Sequence, residues 1–213
     1  YELVAERAEN LLKNTVITDQ KKLDIAEKLA ESYLKLKQWG ALESLLIDYQ
    51  FENYQLELLA YNKKWSEIIN LIGKDIVLDQ YLNLRLSSLF NIKEMNTLIL
   101  AYENFINKIV ELNEYDYELL KCYVAYAKKD WLGVLEIIAQ IEILANQNQY
   151  LLSNFTRDDL AYMKLMASKN SEKLDLNVVK KLNSGSLDFV LQKSLILSGL
   201  NQSKEALKGF EIT

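Results

Sequence analysis

Apolar positions recur at helical spacing along almost the whole chain. Over residues 2–13 they are Leu3, Val4, Ala8, Leu11 and Leu12, which read as the second helix of a hairpin whose first helix is missing. A second stripe, Leu23, Ala26, Leu29, Ala30, Tyr33 and Leu34, predicts a helix over 20–36 with Thr18-Asp19 at its N-cap. A polar turn and Trp39 follow, then a partner helix to about Tyr49. Leu56, Leu59 and Ala60 lead to Trp65 and a short helix ending near Gly73. Leu78, Tyr81, Leu82, Leu86 and Leu89 lead to a turn at 91–95, where Met95 takes the tryptophan's place ahead of Leu98, Ile99 and Tyr102. Tyr117, Leu120, Tyr123 and Val124 lead to Trp131 and a helix to about Ala145. The polar stretch 146–154 reads as a long loop. Helices are expected near 156–168, 173–183 and 187–199, and Asn201-Gln202-Ser203 opens a last one carrying Ala206, Leu207 and Phe210.

All three tryptophans therefore sit in one phrase: a polar turn, an aromatic, then an aliphatic three residues later. The phrases are Lys37-Gln38-Trp39-x2-Leu42, Lys63-Lys64-Trp65-x2-Ile68 and Lys129-Asp130-Trp131-x2-Val134. Each ring is expected to pack between the two helices of its own hairpin. The anchors at 39, 65, 95 and 131 are 26, 30 and 36 residues apart, with further ones near 171 and 203. One supersecondary phrase recurring at tens of residues is the signature of a helical repeat array, the tetratricopeptide unit being ~34 residues. Repeats stack on their neighbours, so residues 1–213 read as one domain, an excised piece of a longer protein.

Composition sharpens the fold class to all-α. There is no proline and there are six glycines in 213 residues, too few turn formers for a sheet protein. The net charge is −5 and no lysine–arginine stripe interleaves with aromatics, which disfavours nucleic acid. No apolar run reaches membrane-spanning length, so the segment is not expected to insert in a membrane. Cys122, in an apolar stretch, reads as a small buried hydrophobe.

Catalytic chemistry finds little to build on. The chain has no histidine, which removes the commonest general base and metal ligand. No phosphate-binding glycine loop occurs, so no metal and no cofactor are expected. Glu27 and Glu31, one turn apart, read as a solvated face. Asp158-Asp159 reads as acids at the positive end of a helix.

The pattern Ala26-x2-Leu29-Ala30-x2-Tyr33 resembles the first helix of a tetratricopeptide (TPR) repeat, and Ala206-x3-Phe210 its second helix. A fourth unit matches as Leu119-x2-Cys122-Tyr123-x2-Tyr126, with Tyr123 at the position the family keeps small. The family's closing proline is absent from every unit. The resemblance implies a TPR-like α-solenoid, a right-handed superhelix whose first helices line a groove. Transferred onto this chain, the groove positions are Glu27, Glu31, Asn53, Glu57, Gln80, Asn83, Tyr123 and Tyr126. A basic clamp for a peptide carboxylate is missing. The expected role is a non-catalytic protein–protein scaffold or adaptor in a larger assembly. Composition points to a bacterial one, of the envelope or a motility machine. The expected partner is a basic or neutral protein segment. The alternatives are a self-associating spacer, or the helical accessory domain of an enzyme whose catalytic domain lies outside these residues. The compartment, cytoplasm or periplasm, stays open.

Overall fold

A computed structural model describes residues 1–13, 17–72, 81–106, 112–148, 154–171, 174–184 and 186–210. Among the described residues there are thirteen α-helices and no strand. They are α1 (Glu2–Leu12), α2 (Asp19–Leu36), α3 (Trp39–Asp48), α4 (Glu52–Tyr61), α5 (Trp65–Ile72), α6 (Leu82–Asn91), α7 (Met95–Ile106), α8 (Glu114–Ala127), α9 (Trp131–Asn148), α10 (Asn154–Asn170), α11 (Leu176–Lys181), α12 (Leu187–Gly199) and α13 (Ser203–Phe210). The chain divides into two compact units, Tyr1–Leu71 and Ile72–Thr213. In the first, α1 packs on α2, and α2 on α3 and α4. In the second, consecutive helices pack as pairs (α6 on α7, α8 on α9, α12 on α13), and α6 also meets both α8 and α10.

The hairpins share one joint. Lys37, Lys63, Lys93, Lys129 and Asn201 all adopt left-handed backbone, with φ between 56° and 66°. At each joint two N–H groups donate back to the helix just ended. Lys37 donates to the Leu34 carbonyl (3.1 Å) and Gln38 to the Tyr33 carbonyl (2.9 Å). The same pair of bonds recurs at Lys63-Lys64, Lys93-Glu94, Lys129-Asp130 and Asn201-Gln202. This is the Schellman closure, which satisfies helix-end carbonyls that would otherwise lack donors. The carbonyl of the second joint residue then accepts the first bond of the next helix, as Gln38 does from Leu42 (3.0 Å) and Asp130 from Val134 (2.9 Å). Left-handed backbone costs an ordinary residue roughly 1–2 kcal/mol, so a lysine there stays only because the surrounding packing holds it.

That packing is equally regular. Five residues after each left-handed residue stand Leu42, Ile68, Leu98, Val134 and Ala206, all buried. Seven residues before it stand Ala30, Leu56, Leu86, Cys122 and Ser194, again all buried. Cys122 is the small buried hydrophobe expected, and burial pushes its thiol pKa up.

Three expectations need correction. The tryptophans are only half-buried. Each opens its helix, so it sits over the end of the hairpin, while the residue one turn later reaches between the helices. Trp39 stacks on Tyr61 at the end of α4, with ring centroids 4.1 Å apart, and Trp131 meets Tyr126 edge-on at 5.5 Å. Second, the joint at Lys129 shifts the fourth-unit register by one. Cys122, not Tyr123, falls at the small position held by Ala30. Third, α9 runs to Asn148 and α10 starts at Asn154, so helix extends into both ends of the expected loop and its middle lies outside the described residues. Gly73 also lies outside them. Thr18 has the extended backbone of an N-cap, but its side chain makes no cap hydrogen bond.

Candidate functional site

The joints give each first helix a common register. Ten residues before the left-handed residue stand Glu27, Asn53, Asn83 and Leu119, and six before it stand Glu31, Glu57, Ser87 and Tyr123. Six of these eight are among the groove positions expected from sequence. Ser87 and Leu119 are additional. Gln80 lies outside the described residues, and Tyr126 falls at a different register position.

In the first unit these positions meet water. Glu27, Asn53 and Glu57 are exposed and Glu31 is half-buried. Two of them act on Tyr54 of α4: its hydroxyl pKa is raised first by burial, then by the charges of Glu31 and Glu27. Glu57 reaches solvent, yet its carboxyl is raised by partial desolvation, which Lys35 partly offsets. Lys28 pairs with Glu31 at 3.4 Å across exposed surface, a contact of little energy. The result is an α2–α4 face with acids at its edges and a tyrosine between them. Tyr33, two residues past Glu31, faces the other way: it is buried and donates to Glu9 of α1 at 2.8 Å. Burial and that bond push its pKa up to about 12. A separate shallow depression lined by Asp19, Lys22, Leu23, Asp48 and Tyr49 contains none of the expected positions.

In α6 and α8 of the second unit most of the same register is filled. Ser87, Leu119 and Tyr123 are 0%, 3% and 1% exposed. What meets Ser87 and Tyr123 is α10. The Tyr123 hydroxyl donates to Asp159 Oδ2 at 2.6 Å, and the Ser87 hydroxyl donates to the same oxygen at 2.5 Å. Asn91 Nδ2 donates to Asp159 Oδ1 at 2.9 Å. Asn83 is half-buried and donates to Asp116 at 3.1 Å, while its own Oδ1 is buried without a hydrogen-bond partner. Tyr123 is therefore core rather than groove surface, because its ring and hydroxyl are both spent on the interior.

Asp159 is the residue that sequence reasoning misplaced. It is 4% exposed and ties α6, α8 and α10 together, rather than solvating a helix start. Burial raises its pKa to about 6, against three hydrogen bonds that pull it down, with neighbouring Asp158 pushing the same way as burial. No local pattern marks it, since its partners are 72, 68 and 36 residues away. Its neighbour Asp158 accepts from Ser184 at 2.6 Å.

Tyr126 is half-buried in an aromatic cluster. Its ring meets Phe90 at 5.1 Å and Trp131 at 5.5 Å edge-on, with Tyr162 at 6.4 Å. Lys93 lies over Tyr162 at 5.3 Å and pairs with Asp188 at 3.0 Å. Among the described residues the exposed tyrosines lie elsewhere: Tyr1, Tyr61 and Tyr117.

Among the described residues no group of three or more potential ligands from His, Cys, Asp or Glu gathers in a metal-binding arrangement, and no helix is long and apolar enough to cross a membrane. Compared with protein-family models, curated proteins and solved structures, the chain matches none.

Proposed function

We propose that this chain is a TPR-like α-solenoid segment that serves as a non-catalytic scaffold, and that the α2–α4 face of its first unit holds a basic or neutral protein segment. The observation that supports this most is the contrast at one register. Positions that α6 and α8 bury at Ser87, Leu119 and Tyr123 are left open in the first unit, where they carry Glu27, Glu31, Asn53 and Glu57. An open acidic rim favours fast encounter with a positive partner, and a half-buried tyrosine gives it an apolar anchor. The test is affinity capture from the native extract with wild type and with the Glu27→Lys, Glu31→Lys, Glu57→Lys variant. The variant is expected to lose the partner while keeping its helical circular dichroism. Equal recovery of the same partner by both would move the binding surface elsewhere.

A second reading is a self-associating spacer, and one observation favours it. On α12, Leu187, Leu191 and Leu195 form a one-sided stripe, 62%, 37% and 49% exposed. Leu191 and Leu195 occupy the same two register positions as Glu27 and Glu31. Sedimentation over a wide concentration range, with Leu191→Glu and Leu195→Glu as control, separates the readings. A dimer dissolved by the double variant favours the spacer, and a monomer throughout removes it.

A further inference from the structure

We propose that the Asp159 junction is a pH-dependent lock, holding the first half of α10 against α6 and α8 more tightly in mild acid than at neutral pH. This goes beyond the scaffold reading and does not rest on it. The geometry supplies the device. A carboxylate from one helix accepts from Ser87 and Asn91 of a second and Tyr123 of a third, at 2.5, 2.9 and 2.6 Å. All three donors are neutral, so the junction holds a negative charge out of water without a cation bonded to it. Such burial is costly even when every lone pair is occupied.

The charges around it do not change that balance. On α10 itself Asp158 adds repulsion. On α8, Cys122 and Tyr123 are held neutral by burial, each with Asp159 adding to the rise, and Glu118 pairs with Lys121 at 2.8 Å. On α6 the buried Arg85 is not among the groups that shift Asp159. From α9, Glu142 pairs with Lys164 of α10 at 2.7 Å. On α12, Asp188 pairs with Lys93, while Lys193 donates to the carbonyls of Lys180 and Leu182.

Protonation has a structural outlet. The Ser87 hydroxyl is a free rotor, so it can accept from the carboxylic O–H and turn its own hydrogen onto its helix. Ser88 already does this, donating to the Leu84 carbonyl at 2.7 Å. The acid form thus keeps the junction bonded and removes the buried charge.

The sign follows from linkage. The closed junction raises the Asp159 pKa from 3.8 to about 6, whereas the open, solvated carboxyl returns to the ordinary value. Closure therefore binds a proton, and opening grows as pH rises until it levels off above about 6. Between pH 5 and pH 7.5 the opening equilibrium should rise about tenfold.

Hydrogen exchange read by mass spectrometry tests this on the full chain, with rates corrected for the intrinsic pH effect. Peptides covering the start of α10 and the Ser87–Asn91 turn should lose about tenfold protection between pH 5 and 7.5. In Asp159→Asn the loss should vanish. In Ser87→Ala, which keeps the carboxyl but removes one of its donors, the transition should move to higher pH. Wild-type protection that is equal at both pH values overturns the proposal. So does a loss that persists in Asp159→Asn, or a transition that stays put in Ser87→Ala.

Discussion

The two units answer the same register with opposite chemistry. Six residues before the joint, the first unit places Glu31 and Glu57 toward water, whereas α6 and α8 of the second place Ser87 and Tyr123 in the interior and its α12 leaves Leu195 exposed. The joints are alike, and so are the buried residues flanking them. What differs is the neighbour. In the second unit α6 packs on α10 as well as on α8, so one helix crosses the faces of two others. In an ideal repeat array each unit touches only the next. The lesson is that a repeat's skeleton and its exposed face are specified separately. The skeleton is written locally, whereas the fate of the face depends on a helix tens of residues away.

The sharpest way to break that comparison is to exchange charge at the shared position. Tyr123→Glu sets a second carboxylate beside Asp159 in the interior and removes one of its donors, and should cost about 5 kcal/mol. Glu31→Lys, at the same register, should stay within about 0.5 kcal/mol. Urea midpoints of the two variants measure the gap, and equal midpoints would dissolve the distinction between the units. The shared skeleton predicts the opposite pattern. Leu42→Ala and Leu98→Ala, each five residues past a joint, should lose similar stability, about 3–4 kcal/mol. Unequal losses would show that the joints are alike in geometry only.

Proton linkage sharpens the comparison further. Asp159 has its folded pKa raised from 3.8 to about 6, so the native state holds its proton more tightly than the unfolded state does. Its contribution is therefore most favourable below about pH 4, falls as pH rises toward 6, and is flat above, a loss of about 2–3 kcal/mol in all. Glu57 in the first unit is raised as well and slopes the same way, so the reading comes from wild type minus Asp159→Asn. A difference that does not vary between pH 4 and 7.5 would remove the charge from the account. The smallest effect is at the tryptophan that opens α3. Trp39→Ala should cost about 2 kcal/mol, less than Leu42→Ala, because part of its surface is already wet. A larger loss than Leu42→Ala would restore the ring as the hairpin's centre.

The helices and the joints were legible because their causes are local. The apolar stripes, the missing proline and the phrase Lys-x-Trp-x2-aliphatic each act within two turns of chain. Even the Met95 and Ser203 joints, which lack the tryptophan, could be found by their spacing. The candidate site was legible only in part. Glu27, Glu31, Asn53 and Glu57 gave their register correctly because Lys37 and Lys63 lie near them in sequence. Tyr123 misleads because the tyrosines of the fourth unit suggest a register one residue away from the one set by the turn at Lys129, which puts Cys122 at the small position. Asp159 left no trace in sequence, since a buried carboxylate and a solvated one look alike until the donors of two other helices are placed around it.

The lysine joints also bear on how such a chain can be rearranged. From seven residues before each left-handed residue to five after it, everything that closes a hairpin lies within one short window: Ala30 to Leu42, Leu56 to Ile68, Leu86 to Leu98, Cys122 to Val134. The intervals between windows vary by as much as ten residues, while the windows themselves keep one length. A recombination event that falls between windows delivers an intact cassette, already able to close its own turn. One that falls inside a window separates the strained residue from the packing that holds it.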